Sequence, residues 1–184
     1  ETYLIDGLVT YNPSFYRSRI TAEVASEALP NAGAVGTGIS CGVDSLYALA
    51  RESNPLFPNH KITHLTFNNV GSHGEGEKAR ELYNKRMLRP KKFAEEFGYE
   101  FVASDSNLMD VIKQSHFYTH TYSSMFPVLC LQKLYSVYYY ASAGYRYDEF
   151  TLKSKKGRCC GSYELLSLPV FSTHQLRIYS QGEN

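Results

Sequence analysis

The chain is expected to fold as an α/β domain, a parallel sheet with helices on both faces. Three observations predict this. Short β-prone runs at 34–39, 62–68 and 99–103 alternate with segments of helical periodicity. Turn residues punctuate each change, at Pro30-Asn31-Ala32-Gly33, at Asn54-Pro55, at Asn69-Val70-Gly71-Ser72-His73-Gly74 and at Gly98. Strand–helix alternation of this kind needs crossover connections, which make neighbouring strands parallel and lay helices on the sheet. At 184 residues, 43% hydrophobic and 20% charged, the chain suits one domain with a substantial core.

Taken in order, Thr2 to Ile5 and Leu8 to Tyr11 flank Asp6-Gly7, a pattern that predicts a tight β-hairpin. Pro13 ends it, and Ser14 can cap a helix carrying Ile20, Val24 and Ala28 on one face. Residues 1–33 therefore read as a short N-terminal hairpin and helix, and 34–184 as the main domain. A strand at 34–39 leads into a helix that runs to Glu52, where Asn54-Pro55 stops it. Ile62 to Asn68 alternates as a strand, and a long helix follows over 75–97. Ala79, Tyr83, Met87, Pro90, Ala94 and Phe97 mark its core face, and Pro90 is expected to kink it. Its charges, among them Lys85, Arg86 and Arg89, are mixed in sign and read as a solvated face. Tyr99 to Ala103 is the third strand, and Asp105-Ser106-Asn107 can cap a short helix at 108–115. The apolar stretch Phe126 to Ala143 reads as part of a buried helix over 122–142. A polar loop with Lys153, Lys155, Lys156 and Arg158 precedes a fourth strand, Leu168 to Ser172, placed at a sheet edge by Pro169.

The net charge of +1 offers no basic field for nucleic acid. Cys41, Cys130, Cys159 and Cys160 show neither zinc spacing nor a disulfide framework, which points to a reducing, cytoplasmic setting. No signal peptide or membrane-spanning segment is legible. The sixteen Tyr and ten Phe suggest core and interface use, and with them a homodimer. The chain starts at Glu1 rather than Met, and is expected to be a piece of a longer protein, truncated at its C-terminus.

The most specific feature is Ser40-Cys41-Gly42-Val43-Asp44-Ser45, set between the strand at 34–39 and the helix that follows. A turn in that place aims unpaired amides at one point, and the helix dipole adds positive charge there, which makes an anion site suited to phosphate. Other motifs compete for these residues. Gly38-Ile39-Ser40-Cys41-Gly42 fits the nucleophile elbow of serine hydrolases, with Ser40 as nucleophile, although few strands precede it and Asp44 and Ser45 are left without a role. A dinucleotide fingerprint fails at Cys41, and a Walker loop lacks its Gly-Lys-Ser/Thr. The plainest alternative is that Gly36, Gly38 and Gly42 merely allow close strand–helix packing. If the turn needs positive φ, Cys41 is strained where glycine is not. A thiol at a helix N-terminus is also expected to have a lowered pKa.

The hexapeptide resembles the pyrophosphate loop (PP-loop) of the ATP pyrophosphatases, Ser-Gly-Gly-x-Asp-Ser, with Cys41 in place of the first glycine. The stretches Ile62-Thr63-His64-Leu65, Asn69 to Gly74, Asp105-Ser106-Asn107-Leu108, Thr119-His120-Thr121-Tyr122 and Leu131 to Tyr140 are similar to an uncharacterised bacterial branch of that superfamily, and the resemblance covers residues 30–180. It implies a Rossmann-like, HUP-type fold. It implies ATP and Mg²⁺ as cofactors and a small-molecule acceptor, a carboxylate or carbonyl adenylated for amide or thio transfer with release of pyrophosphate. It places Ser40, Cys41, Gly42, Val43, Asp44 and Ser45 around the phosphates, with Asn68, Ser72 and His73 near adenosine. Asp44 is the candidate metal ligand, and Asp44, Ser45 and His120 are the candidate catalytic residues. Asp105 and the basic loop at 153–158 are further candidates for substrate or nucleotide contact. The alternatives are the Ser40 hydrolase and a nucleotide-binding domain without turnover.

Overall fold

In the computed structural model, residues 2–181 are described except 13, 25–26, 52–56 and 143–159. The strands β1 (Ala34–Gly38), β2 (His64–Asn69), β3 (Glu100–Asp105), β4 (Tyr135–Ala141) and β5 (Arg177–Gln181) form one sheet of order β3-β2-β1-β4-β5. Every pairing is parallel. The helices are α1 (Thr2–Tyr11), α2 (Val43–Arg51), α3 (Gly76–Phe97), α4 (Leu108–Ile112), α5 (His116–Cys130) and α6 (Glu164–Ser167).

Strand alternation, interrupted by a register shift where Ala34 pairs with Tyr135 but Val35 with Val137, divides the core between the two faces of the sheet. Val35, Val137 and Tyr139 join Leu49 of α2 and Ala94 of α3 in one cluster. Ala34, Tyr135 and Tyr138 join Met125 and Val128 of α5, with Leu168 and Phe171, in the other. The chain builds outward from β1 through β2 to β3, then returns to add β4 on the opposite side. The direction of winding thus reverses between β1 and β4, the position at which open parallel sheets leave a crevice beyond their carboxyl ends. The backbones pack closely there. A Cβ on Gly36 of β1 would lie 2.8 Å from the Tyr135 ring and 2.9 Å from the Tyr138 ring.

Several expectations need correction. Residues Thr2–Tyr11 form a helix, not a hairpin; Asp6-Gly7 lies inside it, where the Thr10 hydroxyl donates to the Asp6 carbonyl at 2.7 Å. Helix α1 leans on the domain through Leu4, so tertiary contact overrides the local turn signal. The expected helix after Ser14 is absent over residues 16–24. Ile20 and Val24 are 58% and 92% exposed there, so that stripe has no surface to bury against. The helix expected over 122–142 is two elements. Helix α5 ends at Cys130, and after the turn at 131–134 the tyrosine-rich run becomes β4. Leu168–Phe171 is a 3₁₀ turn with Pro169 as its second residue, and the edge strand is β5 further on. Pro90 is buried inside α3 without ending it. Its missing N–H leaves the Arg86 carbonyl without its intrahelical donor. The basic loop at 153–158 and Cys159 lie outside the described residues. Among the described residues, no helix is long and apolar enough to cross a membrane.

Candidate functional site

After β1 the chain turns through 39–42 into α2, and the two serines of the loop hold that turn. Ser45 Oγ donates to the Gly42 carbonyl at 3.0 Å and accepts from the Ser40 N–H at 3.3 Å. Ser40 Oγ accepts from the Gly42 N–H at 3.2 Å and lies 3.2 Å from Ser45 Oγ. Ser45 is buried, so it braces the turn from beneath, while Ser40 is exposed. Cys41 has φ +57°. A side chain in that left-handed region costs roughly 1–2 kcal/mol, which glycine avoids. The strain considered from the sequence is therefore present at the one residue that departs from the glycine pattern. The expected lowering of its pKa is not: burial pushes the Cys41 thiol up, with Arg89 acting in the opposite direction.

The N–H groups of Val43, Asp44 and Ser45 find no acceptor among the described residues, and Val43 and Asp44 are exposed. They form the positive end of a nine-residue helix. Beside them a cavity of about 860 Å³ opens over the ends of β1, β2 and β4, walled by α3 and α5. It gathers Ser40, Asp44, Ser45, Asn68, Ser72 and His73 from the sequence candidates. Cys41, Gly42, Val43 and His120 do not line it.

The sequence reading missed the cationic wall. Lys85, Arg86 and Arg89 project from successive turns of α3 into this cavity, where Asp44 is the one acidic side chain among the described lining residues. Their spacing at i, i+1 and i+4 was the available signal, hidden among acidic neighbours on the same helix.

Two histidines complete this side. The His73 ring lies 5.5 Å from both Phe67 and Tyr83, and its Nδ1 is 3.2 Å from Ser72 Oγ. Burial, then Arg86 and His116, push its pKa down. Burial and the neighbouring His120 do the same to His116, against a hydrogen bond to the Val70 carbonyl. His116 Nδ1 is buried with no partner among the described residues. Gly71, at φ +112°, lets the chain pass this ring; a Cβ there would lie 2.7 Å from Met109 and 2.9 Å from His116. On the floor, the Tyr138 hydroxyl is 2.6 Å from Thr66 Oγ1, and burial pushes its pKa up to about 12, so it remains protonated.

The β4 side is built differently. Ser124, Tyr140 and Ala141 line it. Behind them lies Glu164 of α6, 2% exposed. Its Oε1 accepts from Thr121 Oγ1 at 2.8 Å and its Oε2 from Ser142 Oγ at 2.6 Å. Tyr140 also hydrogen-bonds to this carboxylate, and Ser124 to Tyr140. His120 Nδ1 stands 3.7 Å from Oε1, and burial lowers the basicity of that ring. His120 thus serves this buried cluster rather than the cavity surface.

Two other candidates are engaged elsewhere. Asp105 pairs with Arg80 Nε at 3.0 Å and accepts from Asn69 Nδ2 at 2.8 Å. Ser106, not Asn107, approaches the Leu108 N–H at the start of α4, at 3.3 Å. Ser40 has hydroxyl partners within its own turn rather than a histidine, and the left-handed residue is Cys41. A comparison of the chain with family models, curated proteins and solved structures found no match.

Proposed function

We propose that this domain binds ATP·Mg²⁺ over the ends of β1 and β2 and cleaves it to AMP and pyrophosphate, adenylating a carboxylate or carbonyl acceptor for amide or thio transfer. The observation that carries this reading is the juxtaposition of Asp44 and Ser45, whose amides have no acceptor among the described residues, with Lys85, Arg86 and Arg89 around one cavity. Fixed N–H donors and cations suit a polyphosphate whose negative charge grows on the leaving group as the α–β bond breaks. Asp44 lines the cavity and would hold Mg²⁺, which characteristically binds through one or two carboxylates plus substrate phosphates. Held there, the ion would supply positive charge to offset the negative charge that develops on the phosphates.

The division of labour within the loop follows from its hydrogen bonds. The amides of Asp44 and Ser45 grip the phosphates, Ser40 supplies a hydroxyl from the exposed side, and the Ser45 hydroxyl keeps the turn in shape. Phe67, Asn68, Ser72 and His73, at and beyond the end of β2, contact the nucleoside. The left-handed backbone at Cys41 supports the likeness to the PP-loop and a HUP-type assignment, because that position belongs to glycine in the family pattern. The acceptor occupies the β4 side. Isothermal calorimetry tests the reading: the chain binds ATP at millimolar Mg²⁺, pyrophosphate competes, and Asp44→Ala removes the Mg²⁺ dependence. No heat of binding, or affinity unchanged by Arg86→Ala/Arg89→Ala, overturns it.

A further inference from the structure

Glu164 is the buried ionisable residue that ATP binding does not use. Among the described residues it is the one carboxylate in the core, and neither Lys nor Arg faces it. Its surroundings come from each element packed on it: His120 and Thr121 from α5, Tyr140 from β4, Ser142 just beyond, and the Cys160 thiol, which lies within reach of Thr121. A carboxylate that only braces the fold needs no outlet. This one has an outlet, because Tyr140 bonds to it on one side, accepts from Ser124 on the other, and both line the cavity.

We propose that Glu164 is a proton acceptor for the β4 side of the cavity, reached through the Tyr140 hydroxyl. This rests on the ATP reading for the identity of its client, a protic nitrogen nucleophile (an amine or ammonia) beside Ser124 and Tyr140. As the nucleophile forms its bond to the acyl carbon of the adenylated acceptor, its N–H proton passes to Tyr140 Oη. Tyr140 gives its own proton to the Glu164 carboxylate, and AMP leaves with the electron pair of the broken acyl C–O bond. The phenol ends the step as it began, and Glu164 holds one proton more. Burial raises the proton affinity of this carboxyl, in the direction an acceptor near neutral pH requires.

Carbon-detected NMR of the full chain, with Glu labelled at the carboxyl carbon, tests the path. The signal lost in Glu164→Gln should titrate above the ordinary carboxylate range as one moving line, because proton exchange with the cavity is fast. Tyr140→Phe keeps the ring and removes the hydroxyl. It should raise the midpoint, since the charged form loses a donor, and split the line into slowly exchanging protonated and unprotonated signals. Ser124→Ala should slow exchange without removing the Tyr140 bond, and it carries the test alone if Tyr140→Phe does not fold. The proposal is overturned if Glu164 stays ionised through the neutral range, if the line keeps its wild-type exchange in the folded variants, or if only His120→Gln slows it. Absence of ATP binding with this titration intact brings down the ATP reading alone. A lost titration with ATP binding intact brings down the proton path alone.

Discussion

The two sides of the cavity handle charge in opposite ways. On the β1–β2 side, positive charge comes from backbone amides at the start of α2 and from exposed Lys85, Arg86 and Arg89. Water keeps those cations solvated, so the fold gives up little to carry them. On the β4 side the charge is Glu164, removed from water and held by three hydroxyls. Burying a carboxylate is costly unless each oxygen is satisfied, and here Thr121, Ser142 and Tyr140 do that. The contrast separates ligand binding from stability: changes on the first side should alter affinity alone, whereas changes on the second should alter stability and its pH dependence.

The largest effect is expected where the two sides meet. Gly36→Ala places a methyl against the rings of Tyr135 and Tyr138, both fully buried or nearly so, and should cost about 2–3 kcal/mol in urea unfolding. A cost near zero would mean that the two sides are not tightly joined through β1. Arg86→Ala/Arg89→Ala should weaken ATP binding about 100-fold, two charge-assisted hydrogen bonds at modest net strength. The same variant should leave the melting temperature within a degree or two of wild type, since both side chains are exposed. Glu164→Gln should show the reverse, with ATP affinity held and pH behaviour changed.

That pH behaviour has a definite sign. His64, His73, His116 and His120 have pKa values lowered in the fold, so they destabilise it as pH falls below their unfolded value near 6.5. Glu164 has a raised pKa, so its contribution grows as pH falls through the folded value and is lost as pH rises through it. The wild type should therefore lose stability on acidification less steeply than Glu164→Gln. Chemical denaturation of both proteins from neutral to mildly acidic pH checks this, and parallel curves would show that Glu164 is not the residue offsetting the histidines. The smallest effect is expected at Cys41→Gly, which relieves a left-handed side chain while loosening the unfolded chain. It should stabilise by about 0.5–1 kcal/mol, with ATP affinity unchanged.

The elements legible in the sequence were those with local causes. Ala34–Gly38, the Ser/Gly turn and α2 follow from an apolar run, glycine and a helical stripe within twenty residues. Helix α3 announced itself by periodicity and by Gly98, which caps it at φ +75°. The run from Phe126 to Ala143 misled because a short apolar segment suits a buried helix and a buried strand alike. Only the space between β1 and β5 made Tyr135–Ala141 a strand. The same limit hid half of the site. A Lys or Arg on a helix has the same local signature whether it meets solvent or a ligand cavity, so Lys85, Arg86 and Arg89 could be assigned only after α3 was laid beside α2. Glu164 carried no sequence signal, because its three hydroxyl partners come from separate segments.

By itself, the sequence determined the strand–turn–helix at 34–51, since apolar runs, turn residues and helix stops act between near neighbours. The tertiary structure decided which way the sheet reversed, which helix charges face the cavity and which carboxylate was buried. Those outcomes depend on distant segments competing for the same volume, and no short stretch of chain encodes that competition.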